Sequence, residues 1–174
     1  MLKNIHKDIF FISDYFCDQI SGGAELNDAE LINYFSTVTN LKKKQSHLVN
    51  KEILKKNKHS FFIISNFSNL DWKCREYLYN NLEYIIYEHD HKYVKTRNPA
   101  DYNKFKAENT QIVNYFLYKN AKKVICQSKF HEKLLKTNLP ELDNIINIGG
   151  NLWSIETLEH IRSLSKKNKS NKCS

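Results

Sequence analysis

Glycine is scarce in this chain: four in 174 residues, as two adjacent pairs, Gly22–Gly23 and Gly149–Gly150. No third glycine completes a dinucleotide-binding G-x-G-x-x-G after Gly22–Gly23, and no Gly-Lys-Ser/Thr follows to make a phosphate-binding P-loop. Those two nucleotide-binding classes are excluded. A nucleophile elbow, G-x-S-x-G, is also missing, and Cys126 has no base evidently paired with it, so hydrolase chemistry has no support. The four cysteines, Cys17, Cys74, Cys126 and Cys173, include no C-x-x-C pair. Their scatter argues against a structural zinc site and a disulfide framework and suits a reducing compartment. No stretch of about 18 apolar residues occurs, so no transmembrane segment is expected. The N-terminal "MLKNIHKDIFF" lacks the long apolar core and the small-residue cleavage site of a signal peptide. A cytoplasmic protein is expected, with peripheral contact with a membrane left open.

What the chain does have is positive charge, a net +8. Lys166, Lys167, Lys169 and Lys172 crowd into the closing "SKKNKSNKCS", which reads as a frayed tail or linker. Lys42–Lys44 and Lys55–Lys58 read as lying between elements rather than along one helical stripe. No ribonucleoprotein aromatics, KH loop or zinc finger accompanies the charge, so a nucleic-acid partner is not expected. A solvated surface explains most of the excess, and a phosphate-bearing ligand would be drawn by the same field.

The length suits one well-packed domain. Strand-like runs fall at Asp8–Asp14, Ser46–Asn50, Ser60–Ser65, Tyr84–Glu88, Lys123–Cys126 and Ile145–Ile148. Several are continuously apolar, as strands covered on both faces of a parallel sheet must be. Helical periodicity falls between them: Ala24–Thr39, a short helix around Asp71–Asn80, a long one from Pro99 to Asn120, and another marked by Phe130, Leu134 and Leu135. A last helix carries Ile155, Leu158, Ile161 and Leu164 behind Ser154 as N-cap. Strand then helix, repeated about six times, predicts an α/β, Rossmann-like, doubly wound fold: a mainly parallel sheet in three layers.

Open parallel sheets bind ligands beyond the carboxyl ends of their strands, where strand order reverses. The segments that leave those ends here are "DYFCDQISGGAE", "SNFSNLD", "HDHKYVKTRNPADY", "QSKFHE" and "GGNLWS". Polar, basic and glycine residues collect on that one edge. Gly22 and Gly23 precede a helix, so their amides and the helix dipole point at the crevice, and without Cβ atoms they let an anion or a sugar come close. The competing explanation for the pair is a turn that needs positive φ. In "EHDH", His89 and His91 on a strand would share one face and Glu88 and Asp90 the other. No third ligand has metal-site spacing, so a His–Asp pair that touches substrate hydroxyls or phosphate oxygens is the better reading, beside a purely structural capping role.

Four of these motifs, in this order, resemble the N-terminal domain of glycosyltransferases of the GT-B fold, family-4 type: "GGAE" at Gly22–Glu25, "YEHDHKY" at Tyr87–Tyr93, "KVICQSKFHEKLL" at Lys123–Leu135 and "NIGGNLW" at Asn147–Trp153. The resemblance covers nearly the whole chain. It implies that residues 1–153 form one half of a GT-B fold, the acceptor-side Rossmann-like domain, and that residues 154–174 form a C-terminal helix and basic tail or interdomain linker. It further implies transfer of a sugar from a nucleotide-sugar to a glycan or small-molecule acceptor, with no metal and no cofactor beyond that co-substrate. His89 and Asp90 are the implied catalytic residues. Gly22, Gly23, Glu25, Arg97, Ser128, Lys129, Gly149 and Gly150 are the implied donor- and acceptor-binding residues. The C-terminal domain that carries most nucleotide-sugar contacts in such enzymes has no counterpart here, so a partner domain in cis or in trans is expected, and the chain alone is expected to be inactive. The rival reading is a stand-alone Rossmann-like module that binds a nucleotide or sugar without catalysis.

Overall fold

The computed structural model describes residues 8–165. Six parallel strands form one sheet in the order β2-β1-β3-β4-β5-β6. They are β1 (Ile9–Ser13), β2 (Leu41–Gln45), β3 (Phe61–Ile64), β4 (Tyr84–Tyr87), β5 (Val124–Cys126) and β6 (Ile145–Asn147). The helices are α1 (Gly23–Ser36), α2 (Lys51–Lys56), α3 (Trp72–Asn81), α4 (Tyr115–Asn120), α5 (Lys129–Asn138) and α6 (Ile155–Ser165). The result is the expected three-layer, doubly wound α/β fold.

Alternation along each strand splits the core in two. Phe10, Ile12, Phe62, Ile64, Tyr84, Ile86, Val124 and Cys126 face the larger core, which Leu54 of α2, Leu78 of α3, Leu117 of α4 and Leu135 of α5 complete. Ile9, Phe11, Ile63 and Tyr87 face the opposite layer, where Leu31, Ile32 and Phe35 of α1 cover them. Residues such as Phe11, Phe62 and Ile64 are wholly buried, each worth roughly 1.5–3 kcal/mol against exposure. This two-sided burial is why the strands read as unbroken apolar runs.

The second strand is the exception. Ser46–Asn50 was the expected strand, but Ser46–Leu48 is a single 3-10 turn and β2 is the preceding "LKKKQ". Three consecutive lysines do not look like a strand. Register with β1, from Ile9 against Leu41 to Ser13 against Gln45, makes them one. β2 is an edge strand, and its exposed lysines discourage pairing with another sheet. The Lys42–Lys44 run is therefore on a strand rather than between elements, and Lys55 and Lys56 end α2, whose Asn50 cap accepts from the Ile53 amide at 3.0 Å.

The long helix expected over Pro99–Asn120 is also absent. Three short 3-10 turns, Pro99–Asp101, Asn103–Phe105 and Asn109–Gln111, precede the six-residue α4. Left-handed backbone at Lys104, Phe105 and Asn114 interrupts any continuous helix. Asn114 is locked there: its side-chain amide donates to the Lys92 carbonyl at 2.8 Å and accepts from Arg75 at 2.8 Å.

Beyond β6, Ser154 caps α6 as expected, accepting from the Thr157 amide at 3.1 Å. The apolar stripe Ile155, Leu158, Ile161 and Leu164 is exposed to between 45% and 71%. The lysines of the closing tail and Cys173 lie outside the described residues. Among the described residues no helix is long and apolar enough to cross a membrane.

Candidate functional site

β1 and β3 lie side by side although β2 separates them in sequence, so strand order reverses between them, and there α/β sheets open to ligands. A cleft of about 600 Å³ lies over this point, walled by the segments that leave β1, β3, β4 and β5 and by the first turn of α1.

Gly22 and Gly23 have different reasons to be glycine. Neither has positive φ; Gly22, the N-cap of α1, sits at −97° in extended backbone. The turn explanation therefore fails for this pair. A Cβ on Gly22 would lie 2.3 Å from Glu25 Oε2, so the missing side chain makes room for that carboxylate. A Cβ on Gly23 would meet nothing within 4 Å, and Gly23 lines the cleft. Because Gly22 has no side chain, the N-terminus of α1 lacks the usual side-chain cap, and its first-turn amides face the cleft with the positive end of the helix dipole.

The centre of the wall is a buried carboxylate that the sequence patterns did not single out. Asp28, on the second turn of α1, is fully buried. It accepts hydrogen bonds from Ser13 Oγ at 3.0 Å and Ser65 Oγ at 2.7 Å, and His89 Nε2 donates to it at 3.0 Å. Three donors from the ends of β1, β3 and β4 thus converge on one helix residue and offset the cost of burying its charge. With Nε2 donating, His89 Nδ1 accepts from the Gln127 side-chain amide at 2.7 Å. Both ring nitrogens are held, and the ring packs edge-on against Tyr87 at 4.5 Å. The tyrosine phenol, pushed up to about 12 by burial, donates to Asn27 Oδ1 at 3.3 Å. Asn27 also accepts from the Leu152 amide at 2.7 Å and so joins α1 to the segment after β6.

His89 and Asp90, the expected pair, both line the cleft and bond to different partners. β4 ends at Tyr87, so "EHDH" is not on a strand. Asp90 binds Lys92 and Arg97 rather than the histidine. Behind it, the Lys92 ammonium, 2% exposed, lies 3.7 Å from Glu88 Oε1, and Tyr118 donates to Glu88 Oε2. Burial pushes the Glu88 carboxyl up, against the pull of Lys92, and raises the Tyr118 phenol too. Arg97, half-exposed at 48%, ends this ladder of alternating charge at the cleft.

On the opposite flank, Asp14 accepts from the Ser68 and Asn69 amides at 2.9 and 3.1 Å and from Ser46 Oγ, which fixes the loop after β3. Asn66, in that loop, is only 8% exposed, and its Oδ1 has no hydrogen-bond partner among the described residues although the residue lines the cleft. A buried amide oxygen without a partner costs about 1–3 kcal/mol and is the kind of group a ligand satisfies.

Of the expected site residues, Gly23, Glu25, His89, Asp90 and Arg97 line the cleft, with Gly22 at its rim as the cap of α1. The other four lie elsewhere. Ser128 caps α5, accepting from the His131 amide at 3.1 Å. Lys129 lines a shallow groove on α5 with Glu132, Lys133 and Lys136. Gly149, with φ +80°, and Gly150 line a separate apolar pocket of about 380 Å³ with Leu31, Phe35 and Ile85. Sequence reasoning missed Asp14 and Gln127, which directly follow β1 and β5, and Asn66, two residues past the end of β3. Their position after a strand was the available signal. Asp28 gave none, because a polar residue within a helix reads as solvent-facing. Among the described residues no cluster of three or more His, Cys, Asp or Glu side chains is placed to hold a metal ion. A scan against known protein families finds no match to this chain, and a comparison with curated proteins finds none either.

Proposed function

We propose that the chain supplies one wall of a glycosyltransferase active site, which moves a sugar from a nucleotide-sugar to an acceptor, and that a second α/β unit, in cis or in trans, supplies the other. The observation that carries this reading is the uncapped N-terminus of the fourteen-residue α1, which opens at Gly23 onto a polar cleft at the strand-order reversal. Backbone amides there complement a diphosphate, and the missing Cβ admits it at close range. Arg97 adds a counter-charge, and the Asn66 carbonyl oxygen and the Glu25 carboxylate accept sugar hydroxyls. As the bond to the leaving phosphate breaks, negative charge grows where the α1 amides and Arg97 point, so they bind the transition state better than the ground state. Asp28 and Gln127 hold His89 as a rigid wall against the sugar ring, and Gln127 is placed to release Nδ1 to a hydroxyl. One wall cannot surround the donor, so the chain alone binds weakly and turns over negligibly.

The test is a titration of the purified chain, followed by amide chemical shifts, with a nucleoside diphosphate, its nucleotide-sugar and the free nucleoside. The expected result is saturable binding of both diphosphates, with shifts confined to residues 22–25, 66–69 and 89–97, and none with the nucleoside. Failure of both diphosphates to bind the folded protein overturns the reading, and so does robust sugar transfer by this chain by itself. Binding that needs no second unit for full affinity favours the stand-alone module instead.

A further inference from the structure

Away from the cleft lies a feature that glycosyl transfer does not use. Lys104 and Phe105 are consecutive non-glycine residues in the left-handed region, at φ 51° and 62°. L-residues rarely adopt this conformation, and two in succession require outside support. Asn138 of α5, 7% exposed, supplies it: its side-chain amide donates to the Phe105 carbonyl at 2.9 Å, and its Oδ1 accepts from the Ala107 amide at 2.8 Å. The strain does not bury the ring. Phe105 stays 41% exposed and meets the ring of Phe130, itself 57% exposed, edge to face at 5.9 Å and 88°. Lys104 and Lys106 flank Phe105 in sequence, and Lys129 and Lys133 lie one before and three after Phe130 on α5; all four are exposed and none is in an ion pair among the described residues. Glu132 faces Lys136 at 2.6 Å, and Asp101 and Glu108 are the acids of the loop on either side of Phe105.

We infer that Phe105 and Phe130, with these four lysines beside them in the chain, form a docking surface for an anionic lipid bilayer. Aromatic rings settle at the membrane interface, and lysines beside them are attracted by the surface potential of acidic lipids. A single-stranded nucleic acid fits less well, because rings packed edge to face offer no pair of parallel platforms for successive bases. Asn138, the last residue of α5, holds the Phe105 segment, and Phe130 is on the first turn of the same helix, so the surface runs along the flank of α5.

The test is flotation of the full 174-residue chain with vesicles of phosphatidylcholine alone or with about 30% phosphatidylglycerol. The chain is expected to float with the anionic vesicles, to ignore the neutral ones, and to be released by salt. Lys104→Glu with Lys129→Glu should lower partitioning about fivefold or more per site. Phe105→Gly should lower it about tenfold, with the thermal midpoint unchanged or higher, since glycine adopts φ 62° freely. Phe130→Ser should lose binding similarly and guards against a local effect of the glycine. A chain with Lys166, Lys167, Lys169 and Lys172 changed to serine should keep most of its binding. The inference is overturned if the Phe105→Gly and Phe130→Ser variants float like the original while the tail variant does not. It also falls if the chain floats with neither vesicle, or ignores both and binds a single-stranded oligonucleotide through these same residues.

Discussion

Asp28 is the keystone of the cleft wall, and its substitution has a calculable cost. Asp28→Asn keeps the shape of the side chain and removes its charge. Hydrogen bonds to a charged group contribute about 1.5–3 kcal/mol, and those between neutral groups about 0.5–1.5. Three donors lose that difference, from Ser13, Ser65 and the His89 Nε2–H. The serine hydroxyls can turn to accept from the new amide, and relief from burying a charge works against the loss. The net cost is then about 2 kcal/mol, a fall in melting temperature of roughly 4–8 °C for a domain this size. Asp28→Ala removes the acceptor altogether, leaves the histidine N–H buried without a partner and opens a cavity, so about 4 kcal/mol is expected. Urea unfolding of both variants measures these costs. A double-mutant cycle with His89→Gln should return a coupling of about 1–2 kcal/mol, because the two side chains share one hydrogen bond. Asp28→Asn unfolding at the urea concentration of the original protein, or zero coupling to His89, would refute the argument that this carboxylate holds the wall together.

Gly23→Val should change stability by less than about 1 kcal/mol, since its Cβ meets nothing within 4 Å, while nucleotide-sugar affinity drops tenfold or more; a variant that melts early and binds normally would return Gly23 to a structural role. Gly22→Ala should cost little, because φ −97° suits alanine and only the flexible Glu25 carboxylate must swing aside, as paired melting curves would show. The His131 imidazole is pushed down to about 4 by burial, with His91, Lys92 and His89 adding repulsion. Below the ordinary value near 6.5 the unfolded chain binds the proton that the folded one refuses, so this contribution to stability is full above 6.5 and is lost as pH falls towards 4. His131→Leu should therefore gain about 2–3 kcal/mol on the original protein between pH 7 and pH 4.5, read from urea midpoints at the two pH values. Parallel stability curves for the two proteins would show that this imidazole is not excluded from protonation.

Strand-helix alternation and the unbroken apolar runs "FFII" and "YIIY" were enough to determine, from sequence alone, a parallel sheet covered on both faces, because burial on two sides leaves no polar position in a strand. The binding edge was legible for the same kind of reason. Chain that leaves a buried strand must turn in solvent, so glycine and polar residues mark its carboxyl end, and Gly23, His89 and Arg97 were found that way. Other features needed the third dimension. β2 is a strand only because β1 lies beside it, and no local preference of "LKKKQ" says so. The loop from Pro99 to Asn114 carries helical periodicity, yet contacts with Asn138, Arg75 and Lys92 hold it in left-handed backbone that no helix contains. His89 and Asp90 are neighbours in sequence and both line the cleft, yet Asp90 binds Lys92 and Arg97 while the partner of His89 is 61 residues away on α1. Hydrogen bonding at a buried site is decided by which elements meet there, and Asp28, inside a helix and far from its three donors in sequence, becomes the centre of the wall only once β1, β3 and β4 end at the same place.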